Sequence, residues 1–74
     1  MTLPAGTKEV ARMLGCSESQ LAYAIRKGQI DCPLVVGRRV WGPDEILKAE
    51  ELGLGRLSEP MRAVVMANRE AVSA

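Results

Sequence analysis

The stretch that decides the fold of this 74-residue chain is residues 7–41, TKEVARMLG-CSESQLAYAIRKG-QIDCP-LVVGRRVW. Apolar residues recur at helical spacing in its first two segments, which predicts two helices. Only Gly15 and Cys16 separate these helices, so we expect them to cross at a sharp angle. Two short apolar segments around a glycine follow, and they predict a small β-hairpin. The stretch therefore predicts a helix-turn-helix followed by a hairpin.

Both predicted helices carry signals at their ends. Thr7 is the expected N-cap of the first helix, and Gly15 is expected to end it. Ser17 is the expected N-cap of the second helix, where Gln20 would complete a capping box, and Gly28 would end that helix. The residues expected to face the core are Val10, Ala11 and Leu14 in the first helix and Leu21, Ala24 and Ile25 in the second.

The hairpin is expected to have strands at 34–36 and 39–41, joined by a two-residue loop of Gly37 and Arg38. Glycine at the first loop position suits a type II′ turn. Arg38 and Arg39 would then project together from the tip, where they could contact a nucleic-acid backbone or minor groove. A basic turn that is merely exposed to solvent is the alternative.

Two further helices are expected after the hairpin. Proline at position 43 and the two acids that follow it predict a helix that ends at Gly53. Residues 53–55 predict a flexible joint, and Ser58 would cap a last helix from Glu59 to about Val72. The residues expected to face inward are Trp41 after the hairpin, then Ile46, Leu47, Ala49 and Leu52, and finally Met61, Val64, Val65 and Ala67 or Asn68.

The chain length predicts one compact unit, in which residues 1–53 form the main domain and residues 54–74 a C-terminal helix for packing or oligomerisation. The composition is 47% hydrophobic and 26% charged, which is typical of a globular protein. No apolar run approaches the roughly 20 residues that span a bilayer, and no signal peptide is recognisable, so we expect a cytoplasmic protein without membrane contact.

The sequence predicts no enzymatic activity, no metal and no cofactor. The sequence contains no histidine to act as a general base and no glycine-rich phosphate-binding loop. Cys16 and Cys32 are too few for a four-ligand zinc site, and we expect both to be small buried residues.

Charge is distributed unevenly along the chain, although the net charge is only +1. Residues 1–42 carry six basic and three acidic side chains, a net charge of +3. Residues 43–74 carry four basic and six acidic side chains, a net charge of −2. The half that contains the helix-turn-helix is therefore basic, and the other half is acidic. This distribution favours a protein with one face for nucleic acid and an opposite face for solvent or another protein.

The polar side of the second helix supplies the candidate DNA contacts. Ser19, Gln20 and Tyr23 lie towards its start, where a helix-turn-helix presents side chains to base edges. Arg26 and Lys27 lie at its far end and would contact phosphates. A solvated polar face is the structural alternative. The full set of candidate contacts is Lys8, Arg12, Ser17, Ser19, Gln20, Tyr23, Arg26, Lys27, Arg38 and Arg39.

Residues 7–30, followed by VVGRRVW and then DEI, resemble the DNA-binding domain shared by phage excisionases, AlpA-type regulators and the MerR family. The resemblance covers roughly residues 5–52. It implies a mainly α winged helix-turn-helix with a small β-hairpin, in the order α-α-β-β-α-α. It also implies groove contacts by Ser17, Ser19, Gln20 and Tyr23 and wing contacts by Arg38 and Arg39, although a basic residue is common where this chain has Tyr23.

The sequence thus predicts a non-enzymatic protein that binds double-stranded DNA, either an excisionase-like architectural factor or a small transcription regulator. The second helix would read the major groove, and the wing would contact the backbone or minor groove. The expected further partners are an integrase or another protein. A second copy of the chain could also bind through the last helix. The alternative is a protein-interaction module with the same fold, such as a phage packaging or assembly adaptor.

Overall fold

A computed structural model describes residues 4–73, with side chains up to residue 71. Residues 1–3, which contribute to the expectation that there is no signal peptide, lie outside the described residues. The described residues form four helices and a three-stranded antiparallel sheet of strand order β1-β3-β2. The elements in chain order are β1 (Ala5–Gly6), α1 (Thr7–Leu14), α2 (Glu18–Arg26), β2 (Leu34–Val35), β3 (Arg38–Trp41), α3 (Pro43–Glu51) and α4 (Glu59–Ser73).

Trp41 is the largest side chain of the single core and is fully buried. Its indole N–H donates a hydrogen bond to Thr7 Oγ1 at 3.1 Å, which satisfies a donor that burial would otherwise penalise. All four helices and two of the strands contribute to this core, whose members are Ala5, Val10, Ala11, Leu14, Leu21, Ala24, Ile30, Cys32, Trp41, Ile46, Ala49, Leu57 and Val65.

The start of α1 differs from the prediction. Gly6 is the N-cap, Thr7 is the first helical residue, and no side chain caps the helix. The Thr7 hydroxyl accepts the Trp41 hydrogen bond instead. The predicted end of the helix at Gly15 is confirmed, because this glycine adopts the left-handed conformation with φ 73°.

The sheet contains one strand that the sequence did not reveal and a hairpin in a different register. β1 pairs with the end of β3, with Gly6 opposite Val40. In the hairpin, Val35 lies opposite Arg38. The loop is therefore Val36 and Gly37, so the predicted Gly37-Arg38 loop is wrong. Both loop residues have positive φ, 51° and 75°, which is a type I′ turn and not type II′.

The second half packs closely against the first. Ile46 and Ala49 are buried on α3 and Val65 on α4, as predicted. Leu52 is 38% exposed, so it was wrongly predicted to face inward. Of the alternatives Ala67 and Asn68 on α4, Ala67 is exposed and Asn68 is partly buried.

The segment at 53–55 is a packed connection and not the loose joint predicted from its glycines. Gly55 lies directly against α1, where a Cβ atom would come within 2.6 Å of Leu14 Cβ. The next residue, Arg56, donates its backbone N–H to the Leu14 carbonyl at 3.0 Å.

Within residues 4–73, each helix is too short or too polar to cross a membrane.

Candidate nucleic-acid interface

The outward side of α2 is a continuous strip of four exposed residues, Ser19, Ala22, Tyr23 and Arg26. They are spaced three and four residues apart, which places them on one side of a helix. The opposite side is fixed in the core by Leu21 and Ala24. We call these four residues the α2 face. Ala22 was missed in the sequence, although its spacing from Ser19 and Arg26 identifies it.

Ser17 and Gln20 form the capping box that the sequence predicted. Ser17 Oγ accepts from the Gln20 backbone N–H at 3.2 Å, and Gln20 Oε1 accepts from the Ser17 backbone N–H at 3.0 Å. Bidentate pairing of Gln20 with adenine would need that same amide oxygen and would compete with the cap. Both residues are exposed, and their contact with DNA stays a prediction.

Tyr23 stands out from the α2 face, with 53% of its surface exposed. The Lys27 ammonium lies 5.4 Å from the centroid of its ring, within the range of a cation–π contact. The ring therefore holds a cation at the C-terminal end of the helix, beside Arg26.

A groove of about 280 Å³ runs between α2, β3 and the start of α1. Its lining combines apolar walls with two guanidinium groups, and the lining residues are Thr7, Ala22, Ile25, Arg26 and Arg39. Arg39 is held there because its Nη1 donates to the Cys32 carbonyl at 2.8 Å. The groove thus joins the C-terminal part of the α2 face to the hairpin.

The sequence predicted that Arg38 and Arg39 project together from the hairpin tip, and this prediction is wrong. Successive residues of a strand point to opposite faces, and Arg39 shares the face of the buried Trp41 two residues later. Arg39 therefore faces the helices and the groove, while Arg38 is exposed on the other face of the hairpin. Lys8 and Arg12 are exposed on α1, four residues apart, and do not line the groove.

The ion pairs of the described residues both lie in the C-terminal half. Arg62 binds both carboxylate oxygens of Glu50, at 2.5 and 2.6 Å, and Arg69 Nε lies 3.0 Å from Asp44 Oδ1. The Arg62 hydrogen bonds, assisted by one from the Leu57 backbone N–H, lower the pKa of Glu50. The six basic side chains of residues 1–42 form no ion pair within residues 4–73.

The cysteines show no sign of reactivity. Cys32 is buried as expected, whereas Cys16 is only half-buried. Burial and, next, the nearby Glu45 carboxylate raise the pKa of Cys32 to about 12, so its thiol is protonated at neutral pH. Burial also raises the pKa of Cys16. Between residues 4 and 73, no group of three or more acidic, cysteine or histidine side chains is arranged to hold a metal ion.

Comparison of this chain with protein-family models, with curated proteins and with solved structures finds no match.

Proposed function

We propose that this chain is a non-enzymatic, winged helix-turn-helix protein that binds double-stranded DNA. It would act as an excisionase-like architectural factor or as a small transcription regulator. The observation that carries the proposal is the groove, in which Arg26 of α2 and Arg39 of β3 converge from two elements. A helix with a polar outward face beside a basic hairpin is the arrangement that places one helix in the major groove and the hairpin on the adjacent backbone.

The charge distribution supports the same proposal. The cations of the basic half are exposed and have no acidic partner in the described part of the chain, so they are available to phosphates. The arginines that form ion pairs, Arg62 and Arg69, belong to the acidic half. Neutralising phosphates releases condensed counterions, which favours binding to a polyanion by such a surface.

We assign different roles to the two kinds of residue on the α2 face. Ser19 and Tyr23, with the small Ala22 between them, would meet base edges, where a hydroxyl accepts or donates and the Ala22 methyl packs on thymine. Arg26, Lys27 and Arg39 would bind phosphates and set the register of the helix in the groove.

One such module covers about 600–1,000 Å² of interface, so useful specificity requires repeated sites or a protein partner. The C-terminal half offers a place for that partner, because Leu52 and Met66 remain 38% and 37% exposed there. An integrase or a second copy of the chain would contact this side. The same exposed apolar residues favour the rival function, a protein-interaction or phage packaging adaptor that has no affinity for duplex.

The proposal is tested by selecting bound duplexes from a random pool and measuring their affinity for three proteins. The double variant Arg26→Gln, Arg39→Gln should bind every recovered duplex at least about 100-fold more weakly, since it loses two charged hydrogen bonds of about 1.4 kcal/mol or more each. The matched control Lys48→Gln removes a cation from the acidic half and should bind like the wild type.

Arg26→Gln alone serves as a second variant, because Arg39 also holds the Cys32 carbonyl and its loss affects folding. Equal affinity of the wild type and Arg26→Gln for all duplexes, or recovery of no duplex at all, would overturn the proposal.

A further inference from the structure

The tip of the hairpin is apolar and points into solvent. Val36 is 96% exposed, and its neighbours Leu34 and Val35 are 59% and 51% exposed. The core ends at Trp41 and Cys32, so none of these three side chains belongs to it. Val36 therefore contributes nothing to packing within the described chain.

The turn itself also disfavours valine at this position. Val36 has φ 51° and is the one non-glycine residue with positive φ among the described residues. Type I′ turns prefer asparagine, aspartate or glycine there, because a β-branched side chain clashes with the backbone in the left-handed region. A residue that is both unfavourable for the turn and unused by the core is best explained by a contact outside the chain.

The charges beside the tip indicate what that contact is. Arg38 follows the turn on one face of the hairpin, and Arg39 follows on the other. Arg39 is held beside α2 by the Cys32 carbonyl, so the exposed Arg38 is the cation next to the tip. An apolar tip beside a cation is complementary to a duplex groove, where separated base steps offer apolar faces and the edges carry phosphates.

Resting on the proposed function, we propose that Val36 is a wedge that enters the minor groove and partly unstacks one base step. The minor groove is about 6 Å wide, too narrow for a whole two-stranded ribbon, so the contact would be made by the turn. Arg38 would bind a phosphate at the edge of that groove. Apolar side chains inserted in this way kink duplexes by about 20–90°. The favoured steps are the flexible TA and CA steps.

The test uses a duplex of about 20–30 base pairs recovered from the random pool, with a fluorophore at each end to report bending. Val36→Asn keeps a residue that tolerates positive φ and removes the apolar side chain. Val35→Thr is the matched control, because it removes an apolar group from the adjacent strand position and leaves the tip intact. Circular dichroism and thermal unfolding confirm that both variants are folded.

The wild type and Val35→Thr should raise energy transfer between the ends of the duplex. Val36→Asn should still bind, with an affinity within about tenfold of the wild type, but should lose at least half of that increase. The same duplex with 2-aminopurine at its TA or CA step should brighten with the wild type and not with Val36→Asn, because unstacking relieves quenching.

The possible failures are distinguishable. If Val36→Asn binds and bends the duplex as the wild type does, the wedge is wrong while DNA binding stands, and the apolar tip belongs to a protein contact. If the wild type binds duplex without any bending or unstacking, the wedge is equally wrong. If the wild type binds no duplex, both this inference and the proposed function are wrong.

Discussion

Gln20 uses its side chain to hold the start of α2, since its Oε1 accepts the Ser17 backbone N–H at 3.0 Å. Ser19, one residue earlier, makes no side-chain hydrogen bond within residues 4–73 and is exposed. The two polar residues therefore have different roles despite their adjacency. Gln20 stabilises the helix, and Ser19 is free to contact another molecule.

Replacing Gln20 separates these roles. Gln20→Ala should lower the free energy of unfolding by about 0.5–1 kcal/mol, because the reciprocal bond of the capping box is lost. Gln20→Glu retains an acceptor at the same place and should unfold like the wild type in thermal denaturation. Ser19→Ala should leave stability unchanged and weaken duplex binding. If Gln20→Glu is as unstable as Gln20→Ala, the cap is not the function of this side chain.

Gly55 is required by a close approach and not by an unusual backbone angle. Gly55→Ala would place a methyl group 2.6 Å from Leu14 Cβ and against the Leu14 backbone, which cannot move without displacing α1. We expect the free energy of unfolding to fall by about 1–3 kcal/mol, the cost typical of overpacking, as measured by denaturant titration.

Gly6→Ser is the matched control for Gly55→Ala. A Cβ atom at Gly6 has no neighbour within 4 Å, and its φ of −82° suits any residue. A serine at this N-cap position would supply the capping hydroxyl that α1 lacks, so stability should hold or rise by a few tenths of a kcal/mol. Equal losses for the two variants would show that Gly55 does not touch α1.

At the scale of elements, the helices could be predicted and the strands only in part. The ends of α1, α2 and α3 are marked by Gly15, Ser17, Gly28 and Gly53, and such caps act through neighbours in the sequence. β1 has two residues, too few to show alternation, and it exists because β3 offers it a pairing edge. Its existence depends on tertiary structure.

The hairpin register could not be predicted for a related reason. Gly37 suits the first position of a type II′ loop and the second position of a type I′ loop equally well. The choice is decided by β3, where burial of Trp41 fixes which residues face the helices. The burial of Trp41 also explains the groove, because Arg39, two residues before it, lies on the same face of β3 beside α2, and Arg38 does not. The sequence therefore could not show that Arg26 and Arg39 share a groove, and the DNA contacts of the candidate residues stay a prediction.

Glu50 connects α3, α4 and the loop between them, and it makes the stability of the fold depend on pH. It binds Arg62 of α4 from its place on α3 and also accepts the Leu57 backbone N–H at 2.8 Å. These hydrogen bonds lower its pKa below the ordinary 4.5. The unfolded chain therefore takes up a proton at higher pH than the folded one, so the stabilisation is present above about pH 4.5 and is lost as pH falls through the lowered pKa.

We expect Glu50→Gln to lower the free energy of unfolding by about 1 kcal/mol at pH 7, a modest value because Arg62 is 44% exposed to solvent. The difference from the wild type should shrink in urea titrations as the pH falls below about 4.5. Glu51→Gln, at an exposed neighbouring position, should leave the stability at pH 7 unchanged. A Glu50→Gln deficit that is constant from pH 7 to acid would contradict this account.

At the scale of the whole molecule, the chain separates its charges into two halves that share one core. Leu57 and Val65 of the acidic half pack with Val10 and Leu21 of the basic half, so the division is one of surface and not of folding. Both ion pairs of the described residues are on the acidic side. The net charge of +1 thus combines a basic half of +3 with an acidic half of −2, and we propose that the basic half binds a polyanion.

The salt dependence of duplex affinity tests this claim most directly. If about four of the six cations in residues 1–42 contact phosphates, a plot of log K against log salt should be linear with a slope near −3 to −4. The double variant Arg26→Gln, Arg39→Gln should reduce the magnitude of that slope by about 2. An affinity for duplex that does not change with salt concentration would contradict the proposal that the basic half binds DNA.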